Sequence, residues 1–409
     1  MSETSYPLHK IKVVLLENIH EDAAAAFERA GYDVRTYPKA YAGQELLDIA
    51  GDAHIIGLRS MTHLKADFFD AARRLWAVGA FCIGTNQIDL AAAAARGVPV
   101  FNAPFSNTRS VAELVIAEIV ALNRQLGDRS AEMHAGRWRK SASGAHEVRG
   151  RTLGIVGYGR IGSQVSVLAE AMGMRVMFYD VVDVLPLGNA QRIATLEALL
   201  EASDVVTLHV PATAETKGMM GAEQIARMKP GACLLNNARG TVVDVNALAE
   251  ALRSGRLSGA AIDVFPKEPA SNEEPFISPL RGLANVILTP HIGGSTLEAQ
   301  RDIARSVSGK LIRLMNNGTT ETAVNFPEVQ LPVLHPNHHR ILHYHRNVPG
   351  VLGNLHTMIA RQGVNIAAQQ LQSNEHYAYA ILDVDPHHGE GLKDQLMAVP
   401  ETIRVRTLW

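Results

Sequence analysis

The chain has 409 residues, more than one hydrophobic core usually organises, so its length predicts two or three domains. Its 39 Lys and Arg nearly balance 41 Asp and Glu, and a formal net charge of −2 offers no broad basic field for nucleic acid or an anionic membrane. No apolar leader opens MSETSYPLHK, and charges such as Glu113 and Glu118 interrupt the longest apolar stretches, so no membrane segment is expected.

The first hundred residues alternate short strands and helices. IKVVLLEN, DVRTYP, AHIIGLRS, RLWAVGAFCIG and VPVFN read as strands, with helices from about Glu21, from about Gly43, after Ser60 and over Asp89 to Arg96. That rhythm predicts a parallel α/β sheet. No glycine fingerprint follows its first strand, so this unit is expected to hold something other than a dinucleotide. Arg59 and Ser60 end one of its strands. Cys82 and Cys233 each sit in an apolar run, which suits buried thiols in a reducing compartment, and the cytoplasm is the expected location.

Ser110 and Glu113 suggest a capping box opening a helix that runs to about Gln125. Asn107 then stands at a helix N-terminus, where backbone N–H groups favour a phosphate or carboxylate. In the basic stretch RWRK, Lys140 reads either as a further anion ligand or as a solvated loop lysine. Trp138 reads as an aromatic plug for a neighbouring subunit rather than as a local core anchor.

Past Gly150 the rhythm restarts with LGIVGYGRIG, a strand entering G-x-G-x-x-G, and a helix expected over Ser163 to Met172. Gly157 allows the tight turn, Gly159 lets a pyrophosphate approach the backbone, and Gly162 lets the helix pack close to the strand. The next strand closes on Asp180, about 20 residues on, where a carboxylate holds the adenosine ribose hydroxyls and repels the extra phosphate of NADP. The cofactor predicted is therefore NAD.

DVVTLHVP, ACLLNNA, GAAIDVF and NVILTPHIGG continue the sheet. Arg239, Glu268 and His291 fall at the carboxyl ends of three of these strands, where α/β sheets open their ligand crevice. An arginine fork binds a carboxylate and polarises a carbonyl, and a histidine held by a carboxylate exchanges a proton near neutral pH. That set suits hydride transfer on a 2-hydroxy or 2-oxo acid. A helix from about Ser295 to Met315 follows and leads back to the first unit.

AVNFPEVQLPVLHP reads as a linker. Beyond it HRILHYHRN, VNIAAQQLQ, YAYAILDVD and TIRVRTLW are strands, with helices in PGVLGNLHTMIARQG and LKDQLMAV. The order β-α-β-β-α-β is the split ferredoxin-like one. His345 and Asn347 precede a helix and Asn365 opens a strand, and such groups can grip a free amino acid. His335, His338, His339, His343 and His345 lack the cysteine and carboxylate companions of a closed metal site, and no metal is expected.

GYGRIG, Asp180, NARGTVVD, AAIDVFPKEP and TPHIGGST together resemble the motifs of the D-2-hydroxyacid dehydrogenase family, in its short form with a C-terminal ACT domain. The resemblance covers nearly the whole chain. It implies an α/β fold with two doubly wound parallel-sheet domains: a Rossmann-type NAD domain over 108–294 and a discontinuous flavodoxin-like substrate domain over 1–107 and 295–327. A linker over 328–337 then leads to a ferredoxin-like ACT domain over 338–409.

The resemblance also implies roles. Arg239 binds substrate, Glu268 is the carboxylate partner and His291 the proton donor or acceptor. Gly157, Gly159, Arg160, Ile161, Gly162 and Asp180 meet NAD at the fingerprint, Asn237, Ala238, Arg239 and Asp263 lie along its nicotinamide side, and His291, Ile292, Gly293 and Gly294 close it. Arg59, Ser60, Asn107 and Lys140 join Arg239 on the substrate. Related short enzymes often carry arginine where Met61 stands, which leaves one phosphate contact absent or supplied elsewhere.

The implied reaction is oxidation of 3-phospho-D-glycerate to 3-phosphohydroxypyruvate at the entry to L-serine synthesis. Paired ACT domains imply L-serine as effector, bound by His345, Asn347 and Asn365, and a homotetramer. Two alternatives stay open. One is another D-2-hydroxyacid dehydrogenase, using a small unphosphorylated acid or 2-oxoglutarate. The other is an NAD-sensing corepressor on the same fold, against which the amino-acid sensor and the lack of a disordered tail argue.

Overall fold

A computed structural model of the chain describes residues 5–269, 273–335, 337–386 and 391–409. The chain forms two compact units, residues 107–299 and residues 1–106 with 300–409. Three sheets organise them.

In the discontinuous unit, β1 (Lys12–Leu15), β2 (Asp33–Thr36), β3 (Ile55–Leu58), β4 (Ala77–Ala80) and β5 (Val100–Phe101) pair in parallel in the order β2-β1-β3-β4-β5. This is the flavodoxin-like doubly wound order. Alternate side chains feed two cores, Val14, Ile56 and Val78 on one face and Val13, Leu15, Ile55 and Ala77 on the other. The long helix Leu297–Asn317 adds Ile303, Val307 and Leu311 to the second of these cores.

The unit of residues 107–299 holds seven parallel strands: β6 (Thr152–Val156), β7 (Arg175–Tyr179), β8 (Gln191–Arg192), β9 (Val205–Leu208), β10 (Ala232–Asn236), β11 (Leu257–Ile262) and β12 (Val286–Leu288). Their order is β12-β11-β10-β9-β6-β7-β8, the Rossmann arrangement with one added strand. β6, β9 and β10 are buried along their whole length, because helices cover both faces of a parallel sheet. Val156, Leu208 and Leu234 enter one core, and Ile155, Val205 and Leu235 the other.

β13 (His339–Arg346), β14 (Ile366–Ser373), β15 (Tyr377–Val384) and β16 (Thr402–Leu408) form the third sheet, antiparallel, in the order β14-β15-β13-β16. Helices Val351–Arg361 and Leu392–Met397 complete the ferredoxin-like β-α-β-β-α-β chain. Their face buries Ile341, Leu355, Ile359 and Leu382. The opposite face buries Leu342, Tyr344 and Tyr379 with Phe326, whose ring lies on that of Tyr344 at 4.0 Å.

The described residues of the stretch read as a linker form no helix or strand, yet several of them are packed. Val329 is 1% exposed and exchanges hydrogen bonds with Thr320, while Arg340 forks onto Asp383 at 2.6 and 2.7 Å and donates to the carbonyls of Asn317 and Pro332. Pro-rich composition suppressed periodicity there without preventing packing. Of the two thiols, Cys233 is buried but Cys82 is half-buried.

Candidate active site

At the carboxyl end of β6, Gly157 has φ +91°, and a Cβ there would stand 2.6 Å from the carbonyl oxygen of His209. Helix Arg160–Ala171 begins directly after Gly159, three residues before the expected Ser163. Gly162 therefore lies in its first turn, where a Cβ would press to 2.2 Å from the Gly157 carbonyl oxygen. Backbone and helix end are thus bare of side chains where a pyrophosphate needs N–H donors. Open space faces Gly159.

Asp180 follows β7, its carboxylate accepting from the N–H groups of Tyr158 at 2.7 Å and Val182 at 2.9 Å. Those bonds fix a carboxylate whose remaining lone pairs suit ribose hydroxyls. Arg160 is exposed, and Ile161 is half-buried with its side chain packed against the core. The residues present fit a dinucleotide of the NAD type.

The ends of β10, β11 and β12 are organised by Asp263, 1% exposed just after β11. Its Oδ1 accepts from the Thr289 hydroxyl at 2.6 Å and the Ile292 N–H at 2.8 Å, and its Oδ2 from the Gly293 N–H at 2.8 Å. These bonds fold the β12 loop so tightly that His291 adopts φ +55°, a conformation that a side chain of this size rarely takes. The imidazole Nδ1 then lies 3.0 Å from Glu268 Oε2, while Glu268 Oε1 accepts from the Phe265 N–H at 3.1 Å. With Nδ1–H given to the carboxylate, Nε2 is left as the exchangeable site.

Arg239 lies three residues beyond β10, half-buried. Asn236 holds the turn before it, donating from its side chain to the Arg239 carbonyl at 3.0 Å and accepting from the Ala238 N–H at 3.1 Å. Arg239, Glu268 and His291 form one electrostatic group. The hydrogen bond to Glu268 raises the His291 pKa above its ordinary value against opposing burial, the Glu268 and Asp263 charges add to the rise, and Arg239 reduces it. Burial pushes the Glu268 carboxyl up, but the bonds from His291 and Phe265 with the nearby cations hold it below its usual range.

That arrangement sets a pH dependence. A base must be neutral to take a proton, so an oxidation that used His291 as its base would rise with pH through the raised His291 pKa. Glu268→Gln removes the main cause of the rise, and the acid limb of kcat/KM for oxidation is expected to move to lower pH, with turnover about tenfold lower on the plateau. A pH–rate profile checks both, and a limb that stays in place would rule the pair out as the proton-handling unit.

Other predicted residues are placed as follows. Asn107 precedes helix Thr108–Arg124 without capping it by its side chain. Its amide packs on Gly294, and its Oδ1 is buried without a partner among the described residues. The capping box is not formed. Ser110 lies inside the helix and bonds Thr296 Oγ1 at 2.8 Å, while Glu113 pairs with Arg109 at 2.6 Å, because the helix begins two residues before Ser110. Lys140 is exposed and lines an open depression with Arg124 and His146. It shares no hydrogen bond or ion pair with Arg239, Glu268 or His291 among the described residues. Asn237 and Ala238 are buried.

In the other unit Arg59 and Ser60 follow β3, half-buried and exposed. Sequence reasoning missed Glu17, a buried carboxylate that accepts from the N–H groups of Met61 and Thr62 at 2.9 and 2.8 Å and so sets that loop. It also missed Asn236, Thr289 and His209. A polar residue at or just past the end of a mostly apolar strand was the available signal for each. His209 is half-buried, and desolvation lowers its pKa to about 3, with its Nε2 3.1 Å from Thr207 Oγ1.

On the third sheet His345 is 3% exposed, its Nδ1 3.0 Å from that of His343. Asn347 is exposed and donates to the Asn374 carbonyl at 2.8 Å, and Asn365 is exposed with its carbonyl accepting from Asp385. No cluster of metal-ligating residues and no helix able to cross a membrane occurs among the described residues.

Residues 116–293 match the family model of the D-isomer specific 2-hydroxyacid dehydrogenase NAD binding domain, and residues 341–404 that of the AHAS small subunit-like ACT domain. The chain is 54% identical to the D-3-phosphoglycerate dehydrogenase of Haemophilus influenzae and 53% identical to that of Escherichia coli, each over the full length of both chains. The structure of D-lactate dehydrogenase with NAD+ from Lactobacillus jensenii superposes with a TM-score of 0.67 at 27% identity, covering 76% of this chain and 99% of that one. The protein is an NAD-dependent oxidoreductase with an ACT domain. Fingerprint, strand-end loops and full-length relatives agree, and the chain belongs to the D-isomer specific 2-hydroxyacid dehydrogenase family, alongside the D-3-phosphoglycerate dehydrogenases.

Proposed function

We propose that the protein oxidises 3-phospho-D-glycerate to 3-phosphohydroxypyruvate with NAD, the first step of L-serine biosynthesis. The observation that carries this reading is the 3.0 Å His291–Glu268 pair grouped with Arg239 at neighbouring strand ends, in a chain whose full-length relatives carry that activity in their names. His291, neutral and with Nδ1–H held by Glu268, takes the proton of the C2 hydroxyl at Nε2. Glu268 stabilises the imidazolium so formed. Arg239 grips the substrate carboxylate and stabilises charge growing on the C2 oxygen. NAD, when bound, supplies the acceptor for the hydride that leaves C2.

Gly157 to Gly162 with Asp180 hold the adenosine and pyrophosphate in this reading. Asn237, Ala238, Asp263 and His291 to Gly294 border the nicotinamide. Arg59, Ser60, Asn107 and Lys140 join Arg239 as substrate ligands, with the domain limits as read from the sequence. NADH oxidation tests the whole reading. The specificity constant for 3-phosphohydroxypyruvate is expected to exceed that for hydroxypyruvate or 2-oxoglutarate by about 100-fold or more, because a site built for a charged group discriminates strongly against its absence. Equal constants transfer the protein to a different 2-hydroxy acid.

L-serine is the proposed effector, at His345, Asn347 and Asn365 of paired ACT domains. A homotetramer in the cytoplasm completes the proposal, with Trp138, 79% exposed in the isolated chain, seated in a neighbouring subunit. Adding L-serine to the same assay is expected to lower the rate, and Asn347→Ala to weaken that inhibition about tenfold or more through lost hydrogen bonds. Full activity at saturating L-serine rejects the effector assignment.

A further inference from the structure

Helix Thr108–Arg124 packs along β10, β11 and helix Arg160–Ala171. Val111, Ala112, Val115, Ile119 and Leu122 make its apolar contacts. In their midst stands Glu118, a carboxyl group 3% exposed. Among the described residues neither of its oxygens has a hydrogen-bond partner of good geometry, and the same holds for both polar side-chain atoms of the adjoining Asn237. All four of these polar atoms are out of reach of solvent. Among the described residues no cation compensates them: the groups that act on Glu118 are the Asn237 amide, from the β10 loop, and the Asp263 carboxylate, from the end of β11, which repels a second negative charge. The neighbouring helix Arg160–Ala171 contributes the apolar Val165 and Ala169 to the same core.

The chemistry of the two groups is complementary in one protonation state only. A carboxylic acid offers an O–H donor and a carbonyl acceptor, which match the carbonyl and N–H of a primary amide in a closed pair of hydrogen bonds. An ionised carboxylate only accepts, leaving Asn237 Oδ1 without a donor and an unpaired charge in the core. We propose that Glu118 is a positioning residue of the active site, a neutral acid that clasps the Asn237 amide and so holds the β10 loop, with Arg239 two residues on, in place beside the bound nicotinamide. This rests on the reading of the β10 and β12 loops as the nicotinamide end of the site. Burial, with Asp263 adding to it and the Asn237 contact opposing it, pushes the Glu118 pKa up to about 7. The clasp thus holds below that pH and opens above it.

The test is NADH binding by the full-length protein between pH 6 and pH 8.5, read by energy transfer from tryptophan, for wild type, Glu118→Gln and Glu118→Leu. Glutamine keeps both a donor and an acceptor at every pH. Wild-type affinity is expected to fall about fivefold across the range, beyond any change shared with Glu118→Gln through His291, whereas Glu118→Gln matches wild type at pH 6 and keeps its affinity at pH 8.5. Glu118→Leu loses the clasp throughout and binds about tenfold more weakly at each pH. Identical pH dependence in wild type and Glu118→Gln overturns the proposal, as does wild-type binding by a folded Glu118→Leu. If the leucine variant does not fold, the glutamine comparison decides alone. Binding is read without substrate, so failure to reduce 3-phosphohydroxypyruvate counts against the reaction and leaves this result standing.

Discussion

Replacing His291 by alanine is expected to lower kcat for 3-phosphohydroxypyruvate reduction about 10³-fold while NADH affinity changes by less than about threefold. The two effects separate because the loop that holds the imidazole does not depend on it. Asp263 anchors that loop through the N–H groups of Ile292 and Gly293 and the Thr289 hydroxyl, and the His291 backbone N–H donates to the Asp263 carbonyl at 2.8 Å. Alanine keeps every one of these bonds. The left-handed φ of +55° at position 291 costs alanine some strain, which stability measurements register and turnover does not. What disappears is the proposed proton carrier, and Glu268 loses the partner that keeps its carboxyl below the usual range. Steady-state kinetics and NADH titration on one preparation check the split. Turnover close to wild type shows that another group handles the proton.

The fold was legible where burial is uniform. β6 and β10 are covered on both faces, so LGIV and ACLLN read as unbroken apolar runs, and the same logic found β1, β3 and β9. It failed where stability comes from elsewhere. β8 is two exposed residues paired with Met177 and Phe178, too short for any periodicity, and helix Leu126–His134 buries no residue, so no apolar stripe marks it. The grouping of Arg239, Glu268 and His291 was visible because chemistry-bearing residues at strand ends are rare and positional. Its supports were not. The resemblance named Asp263 on the nicotinamide side but not the three loop donors that it holds, and no local pattern set apart Glu17, with its backbone partners, or Glu118, almost wholly enclosed. Sequence spacing ranks residues by local period, whereas these carboxyls answer to donors far away in the chain.

Arg239→Lys is expected to lower kcat/KM for 3-phosphohydroxypyruvate about 100- to 1,000-fold, although it conserves the charge. The arginine is held from three sides. Asn236 bonds its carbonyl, its own Nη1 donates to the Ala238 carbonyl at 2.7 Å, and the next residue must be Gly240, where a Cβ would stand 2.0 Å from the Phe265 carbonyl carbon. With the backbone so confined, lysine cannot move to compensate for the lost fork. It presents one ammonium where the guanidinium offers paired donors to a carboxylate and a developing oxyanion. Charge and geometry separate in the pH profile. Arg239 lowers the His291 pKa through space, so lysine leaves the acid limb of oxidation where it was, whereas Arg239→Met moves that limb to higher pH on top of the loss in rate. An Arg239→Lys enzyme with wild-type kcat/KM shows that the guanidinium does not grip the substrate, and an unmoved limb in Arg239→Met shows that it does not share the electrostatic field of His291.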